Sequence, residues 1–172
     1  ELRGLRNPVV VAAFGGWNDA GGAASGVIDH LVERYEAGLA FAVDPEDYYD
    51  FQVNRPLTKL VDGRRELEWP TTEVLVANLP ERDLVLIAGP EPNYHWQDFT
   101  ASIASMLRSI KPELVVLLGA LLTDAPHSRP VPVAGSSDSP ELSEELGLEL
   151  SAYEGPTGIL GVIANECGRL NI

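Results

Sequence analysis

Cysteine and positive charge are what this sequence has least of. A single cysteine, Cys167, among 172 residues cannot close an internal disulfide. With only three histidines, His30, His95 and His127, it also leaves little from which to build a structural zinc site. We therefore expect a protein of a reducing cytoplasm that holds no metal and no cofactor. Twelve Lys and Arg stand against 26 Asp and Glu, a net charge of −14. That balance repels phosphate backbones and offers no polybasic patch to anionic lipid, so nucleic acid and membrane surfaces are excluded as partners. No apolar run approaches the roughly 18 residues a membrane span needs, and residues 1–8 lack the apolar core of a signal peptide.

Apolar residues, by contrast, make up 45% of the chain, enough for the core of one domain of this length. We expect a single α/β domain over residues 1–172, with a hairpin insertion at about 51–70. Pro8 to Phe14 is a short unbroken apolar run closed by Gly15-Gly16, the pattern of a strand buried on both faces. Asn18 or Asp19 can cap the segment that follows, in which Ala24, Val27, Ile28, Leu31 and Tyr35 recur at helical spacing. A second strand around 39–43 completes a β-α-β unit. Asp62-Gly63, between Leu60-Val61 and Leu67-Glu68-Trp69, predicts a type I′ hairpin. Residues 73–78 and 83–89 are strands joined by a connection too short for a crossover, so they pair antiparallel. Phe99, Ile103, Met106, Leu107 and Ile110 mark a helix from about His95 to Lys111, which Pro112 ends before a strand at 114–118. A proline-bearing loop follows from 121 to 138, then a short helix opened by Ser139-Pro140-Glu141 and closed by Gly147. A last helix from about Thr157 carries Ile159, Leu160, Ile163 and Cys167 on one side. The whole pattern is a mixed sheet with helices on both faces. Because the sequence stops at Leu170-Asn171-Ile172, just after a helical pattern, a C-terminally incomplete domain is expected.

Three loops carry the residue types of a functional site. Gly15, Gly16, Trp17, Asn18 and Asp19 lead from a buried strand into a helix, where free N–H groups at the positive end of the helix dipole can hold an anion. The turn is neither G-x-G-x-x-G nor a Walker A, and Asp19 repels phosphate, so tight turning and packing explain the glycines as well. Gly22 and Gly26 form a small-residue stripe against which another backbone can pack. Glu91, Tyr94, His95 and Trp96 bring a carboxylate, an imidazole and two aromatics to a strand end, as acid–base chemistry or an interface hot spot requires. The structural alternative is that Pro90 and Pro92 shape a turn, Asn93 caps the next helix and the aromatics cover the core edge. Asp124, His127 and Arg129, with Ser128, contain the residue types of a catalytic triad, but no G-x-S-x-G elbow accompanies them. Cys167, on an apolar helix face, reads as a small hydrophobe. Acids cluster at 44–50 and 141–154 without the spacing of a calcium loop. Tyr48, Tyr49 and Phe51 beside the first cluster mark either a binding face or part of the core.

Gly15-Gly16-Trp17-Asn18-Asp19-Ala20-Gly21, Gly89-Pro90-Glu91-Pro92, Trp96, Leu118-Gly119-Ala120, Pro126-His127-Ser128-Arg129-Pro130 and Tyr153-Glu154-Gly155-Pro156-Thr157-Gly158 occur in an order that resembles the PAC2 family in its actinobacterial form. The resemblance implies a three-layer α/β/α fold around a mixed sheet, similar to purine nucleoside phosphorylases, and a role like that of proteasome assembly chaperones. It implies protein partners, namely proteasome α-subunits and further copies of the chain in a homo-oligomer, and a non-enzymatic role. Archaeal relatives that dock on proteasomes can end in a hydrophobic-Tyr-any tail, which Leu170-Asn171-Ile172 does not match. The resemblance also implies a further strand and helical region past residue 172. The alternative is a small-molecule hydrolase or transferase that uses the three strand-end loops, for which they must converge on one pocket.

Overall fold

The computed structural model describes residues 2–148 and 153–172. Glu149, in the second acidic cluster, lies outside them. The chain forms two compact units, Glu1–Leu121 with Gly158–Ile172, and Leu122–Thr157.

In the first unit, five strands form one sheet in the order β2-β5-β6-β1-β7. They are β1 (Val9–Gly15), β2 (Gly38–Ala42), β5 (Glu73–Asn78), β6 (Asp83–Pro90) and β7 (Leu114–Leu118). β1 is flanked by parallel partners, with Val9 opposite Leu84 on β6 and Leu114 on β7. β5 runs antiparallel to both β6 and β2. Because successive side chains of a strand point to opposite faces, the apolar run of β1 feeds two cores at once. Val10, Ala12 and Phe14 join Val74, Val85 and Ile87 beneath α2 (Trp96–Ile110) and α4 (Ile159–Leu170). Val11 and Ala13 join Leu75, Leu84 and Leu86 beneath α1 (Ala23–Tyr35). Helices thus cover both faces of a mixed sheet, the layered α/β arrangement expected from the sequence pattern. Burying each large side chain in these cores is worth about 1.5–3 kcal/mol relative to exposure.

The helices follow their apolar spacing. Phe99, Ile103, Leu107 and Ile110 are buried along α2, and Phe14 meets Phe99 edge-to-face at 5.8 Å between ring centroids. α1 and α2 both end on a residue in the left-handed region, Glu36 (φ 51°) and Lys111 (φ 49°). In place of a glycine terminator, α2 is followed by Pro112, which cannot continue a helix. Cys167 is buried on the apolar side of α4. Gly22 precedes α1 with φ 67°, and Gly26 is exposed with nothing within 4 Å of its Cβ position, so these two glycines do not pack as a stripe.

The expected β-α-β unit is present, with β2 parallel to β1 in the same sheet. β2 is an edge strand separated from β1 by β6 and β5, so the crossover through α1 spans two intervening strands that only later parts of the chain supply. Tyr49 is a core residue, 3% exposed. Its hydroxyl lies 2.6 Å from Thr72 Oγ1 and donates to Pro90 O, and burial pushes the phenol up to about 12. Tyr48 is half-buried edge-to-face against Phe99, and Phe51 packs on Trp69.

β3 (Leu57–Val61) and β4 (Arg64–Glu68) form a separate antiparallel pair. Asp62 (φ 49°) and Gly63 (φ 77°) supply the two positive φ angles of the expected I′ turn. At the other end of the sheet, Asp83 ties the N-terminal segment to the β5–β6 turn. The Arg6 guanidinium, the Asn78 amide and Arg6 N all donate to its carboxylate, holding its pKa down to about 2.

The second unit holds one helix among its described residues, α3 (Pro140–Leu146), whose Ser139 Oγ accepts from Leu142 N and whose end is marked by Gly147 at φ 63°. Residues 122–136 ahead of it are all exposed.

Candidate functional site

Parallel neighbours β6, β1 and β7 bring three chain segments to one sheet end, where the loop after β1 is fixed mainly by backbone. Glu91 N donates to Gly15 O at 2.7 Å, Ala120 N to Asn18 O at 2.7 Å and Ala20 N to Ala120 O at 3.0 Å. Gly16 needs to be glycine, since its φ is 138° and a Cβ there would sit 3.3 Å from Glu91 Cβ.

The carboxylates at this end are taken by helix N-termini. Asp19 Oδ1 accepts from Ala24 N and Ser25 N, and Oδ2 from Ser25 Oγ. Burial raises the Asp19 pKa, but the bonds from the Ser25 side chain and from the Ser25 and Ala24 backbones outweigh it and leave the group below its ordinary value. The first-turn donors that an anion would use are therefore occupied by the chain's own anion. Glu91 does the same for α4: its Oε1 accepts from Ile159 N at 2.7 Å. Gly158 lies between them, because a Cβ at that position would fall on Asn18 Oδ1 and 2.8 Å from Glu91 Oε1. Asn18 Oδ1 is buried with no hydrogen-bond partner.

The 91–96 loop belongs mostly to a second polar cluster. Tyr94 OH donates to Asp50 Oδ2 at 2.8 Å, and Asn93 Oδ1 accepts from Asp50 N and Asn54 Nδ2. The expected capping role of Asn93 is corrected: the residue before α2 is His95, in the left-handed region at φ 55°, while the Asn93 side chain is committed to residues about 40 positions earlier. Donation from Gln52 N and Tyr94 OH lowers the Asp50 pKa, and the same bond raises that of Tyr94. Trp96 is half-buried, with Nε1 donating to Pro92 O. The His95 ring is exposed, 3.9 Å from the Asp98 carboxylate.

The structure thus gathers Gly15, Gly16, Asn18, Asp19 and Glu91 at one place, sets Tyr94 against Asp50, His95 near Asp98 and Trp96 against Pro92, and leaves Trp17 58% exposed. Asp124, His127 and Arg129 are exposed residues of the second unit. A groove of about 660 Å³ opens next to the glycine turn, between α1 and the base of the hairpin, with Asp29, Leu57, Trp69 and Glu73 in its wall. Of the candidate residues, Gly15 and Gly16 line it and the others do not. Among the described residues no group of three His, Cys, Asp or Glu is placed to hold a metal ion, and no helix is long and apolar enough to cross a membrane. Sequence reasoning missed Gly89 and Gly158 as site-forming residues. A Cβ at Gly89 would meet Thr71 O at 2.5 Å. The available signal for both was a glycine at the border of an element, next to a proline or another turn residue.

The sequence model of the PAC2 family matches residues 13–172. The chain is 47% identical to a PAC2 family protein from Streptomyces avermitilis, with TM-score 0.90 over 96% of this chain and 72% of that one. It is 45% identical to a proteasome-assembly chaperone homologue from Mycobacterium tuberculosis, with TM-score 0.85 over 95% of this chain and 71% of that one. PbaA of Pyrococcus furiosus, an archaeal homologue of a proteasome-assembly chaperone, shares the fold at 14% identity, with TM-score 0.55 over 97% and 69%. No curated protein matches the chain.

Proposed function

Because the chain belongs to the PAC2 family, we propose that it is a chaperone-like protein of the cytoplasm that binds proteasome α-subunits during assembly, by protein contact and without a catalytic step. The observation that carries this reading is the 45% identity, over 95% of the chain, to a proteasome-assembly chaperone homologue. The local chemistry agrees with it. Asp19 and Glu91 each accept from helix N–H groups, so both carboxylates are used to hold helix starts rather than to face a substrate. A hydrolase or transferase asks instead for a partnered base facing a pocket, and the His95 ring stands exposed with only a distant carboxylate beside it. Exposed Trp17, Trp69 and Tyr94 are the side chains from which interface hot spots are made. Reversible capping of an assembly intermediate needs only a modest interface that is released on ring closure.

The test uses the immobilised chain with separately purified proteasome α-subunits and assembled particles from the organism that encodes it. Retention of free α-subunits in preference to particles is expected, with release at high salt because a −14 surface takes part. Failure to retain α-subunits at low salt, or retention of particles alone, would overturn the reading.

A further inference from the structure

We propose that the β3–β4 hairpin is a homotypic contact, in which β4 of one copy pairs edge to edge and antiparallel with β4 of a second copy about a two-fold axis at Glu66. All ten strand residues are exposed, Leu60 to 73%. A lone two-stranded ribbon in water is marginal, and the outer edge of β4 has no ladder partner among the described residues.

Charge selects a second copy as the occupant. Two molecules of net charge −14 repel each other over most of their surface. The hairpin is the exception, a locally neutral element in which Lys59, Arg64 and Arg65 balance Asp62, Glu66 and Glu68. Its register is also self-complementary. The two-residue turn makes Val61–Arg64 and Lys59–Glu66 the bonded pairs within the hairpin, so the N–H and C=O groups of Arg65 and Leu67 point to the outer edge. Two-fold pairing at Glu66 lets Arg65 and Leu67 exchange those bonds with Leu67 and Arg65 of the second copy. It also sets Arg64 opposite the second copy's Glu68, twice over. The two Glu66 side chains meet on the axis as a like-charge pair that lowers the stability of the dimer, since Lys59, opposite Glu66 in register, is ion-paired with Glu68 of its own hairpin. The contact is smaller than the roughly 800 Å² per partner of stable complexes, so the dimer forms reversibly and depends on concentration.

The experiment is sedimentation velocity of the wild-type chain, Arg64→Glu, Glu68→Arg and the double variant, from about 1 to 100 µM, with far-UV circular dichroism as the folding control. The wild-type mass is expected to rise toward a dimer. Each single variant sets like charges against each other twice and stays monomeric, and the double variant, with the pair reversed, dimerises again. Three results overturn the proposal. One is a wild-type monomer throughout, in which case the charges guard an edge strand against pairing. The others are an oligomer that the single variants leave unchanged, and a loss of dimer that the double variant does not restore. None of these outcomes depends on proteasome binding, so this proposal and the proposed function stand or fall separately.

Discussion

Glu91 holds the first turn of α4 from 68 positions away in the chain, through the 2.7 Å bond from Ile159 N to Oε1. The helix it starts carries Ile159, Ile163 and Cys167 into the same core as Phe99 and Leu107, so the cap and the packing support each other. Glu91→Ala removes the acceptor and the charge that faces the helix dipole, and should cost about 1–2 kcal/mol of stability in urea denaturation. Glu91→Gln keeps an acceptor and loses only the charge, about 0.5 kcal/mol. An alanine variant as stable as the wild type would mean that the bond contributes nothing to the fold. Asp19 shows which such roles can be read from sequence. It caps a helix that starts four residues later, and residue type and position suffice to predict that. The partner of Glu91 becomes visible only once β1, β6 and α4 have been brought together, and the same holds for Asn93 with Asp50 and for Gly89 with Thr71.

Among the elements, the hairpin is the one whose local geometry rests on least. Its turn is fixed by Asp62 and Gly63 at positive φ, and nothing lies within 4 Å of a Cβ at Gly63. Gly63→Ala therefore acts through backbone strain alone, about 1–2 kcal/mol for a side chain held in the left-handed region. Because none of β3 or β4 enters either core, that strain should open the hairpin locally. We expect faster amide exchange at 57–68 in the variant, with exchange in β1 and β6 and the urea midpoint unchanged. A lowered midpoint would show that the hairpin is coupled to the cores. Strands and helices were legible here because each is announced locally, by an apolar run, a spacing of three and four, or an Asp-Gly turn. Strand order was not, since the neighbours of β1 lie about 75 and 105 residues further on.

Stability is unevenly divided over the molecule. Both hydrophobic cores lie in the unit formed by Glu1–Leu121 and Gly158–Ile172, whose second segment is α4. The connecting unit begins with residues 122–136, which are exposed throughout and contain no strand or helix. Exposed loops of this kind are where proteolytic nicking concentrates. Brief digestion with proteinase K should therefore cut first within 122–136, giving two fragments on a denaturing gel. The C-terminal fragment retains α4, whose Ile159, Leu160 and Ile163 are buried among residues of the N-terminal fragment. Burial of those three side chains, about 1.5–3 kcal/mol each, favours keeping the nicked chain together. The fragments should co-elute on native size exclusion and separate only in denaturant. First cuts inside 73–118, or fragments that part without denaturant, would show that α4 and the sheet do not hold together as one cooperative body.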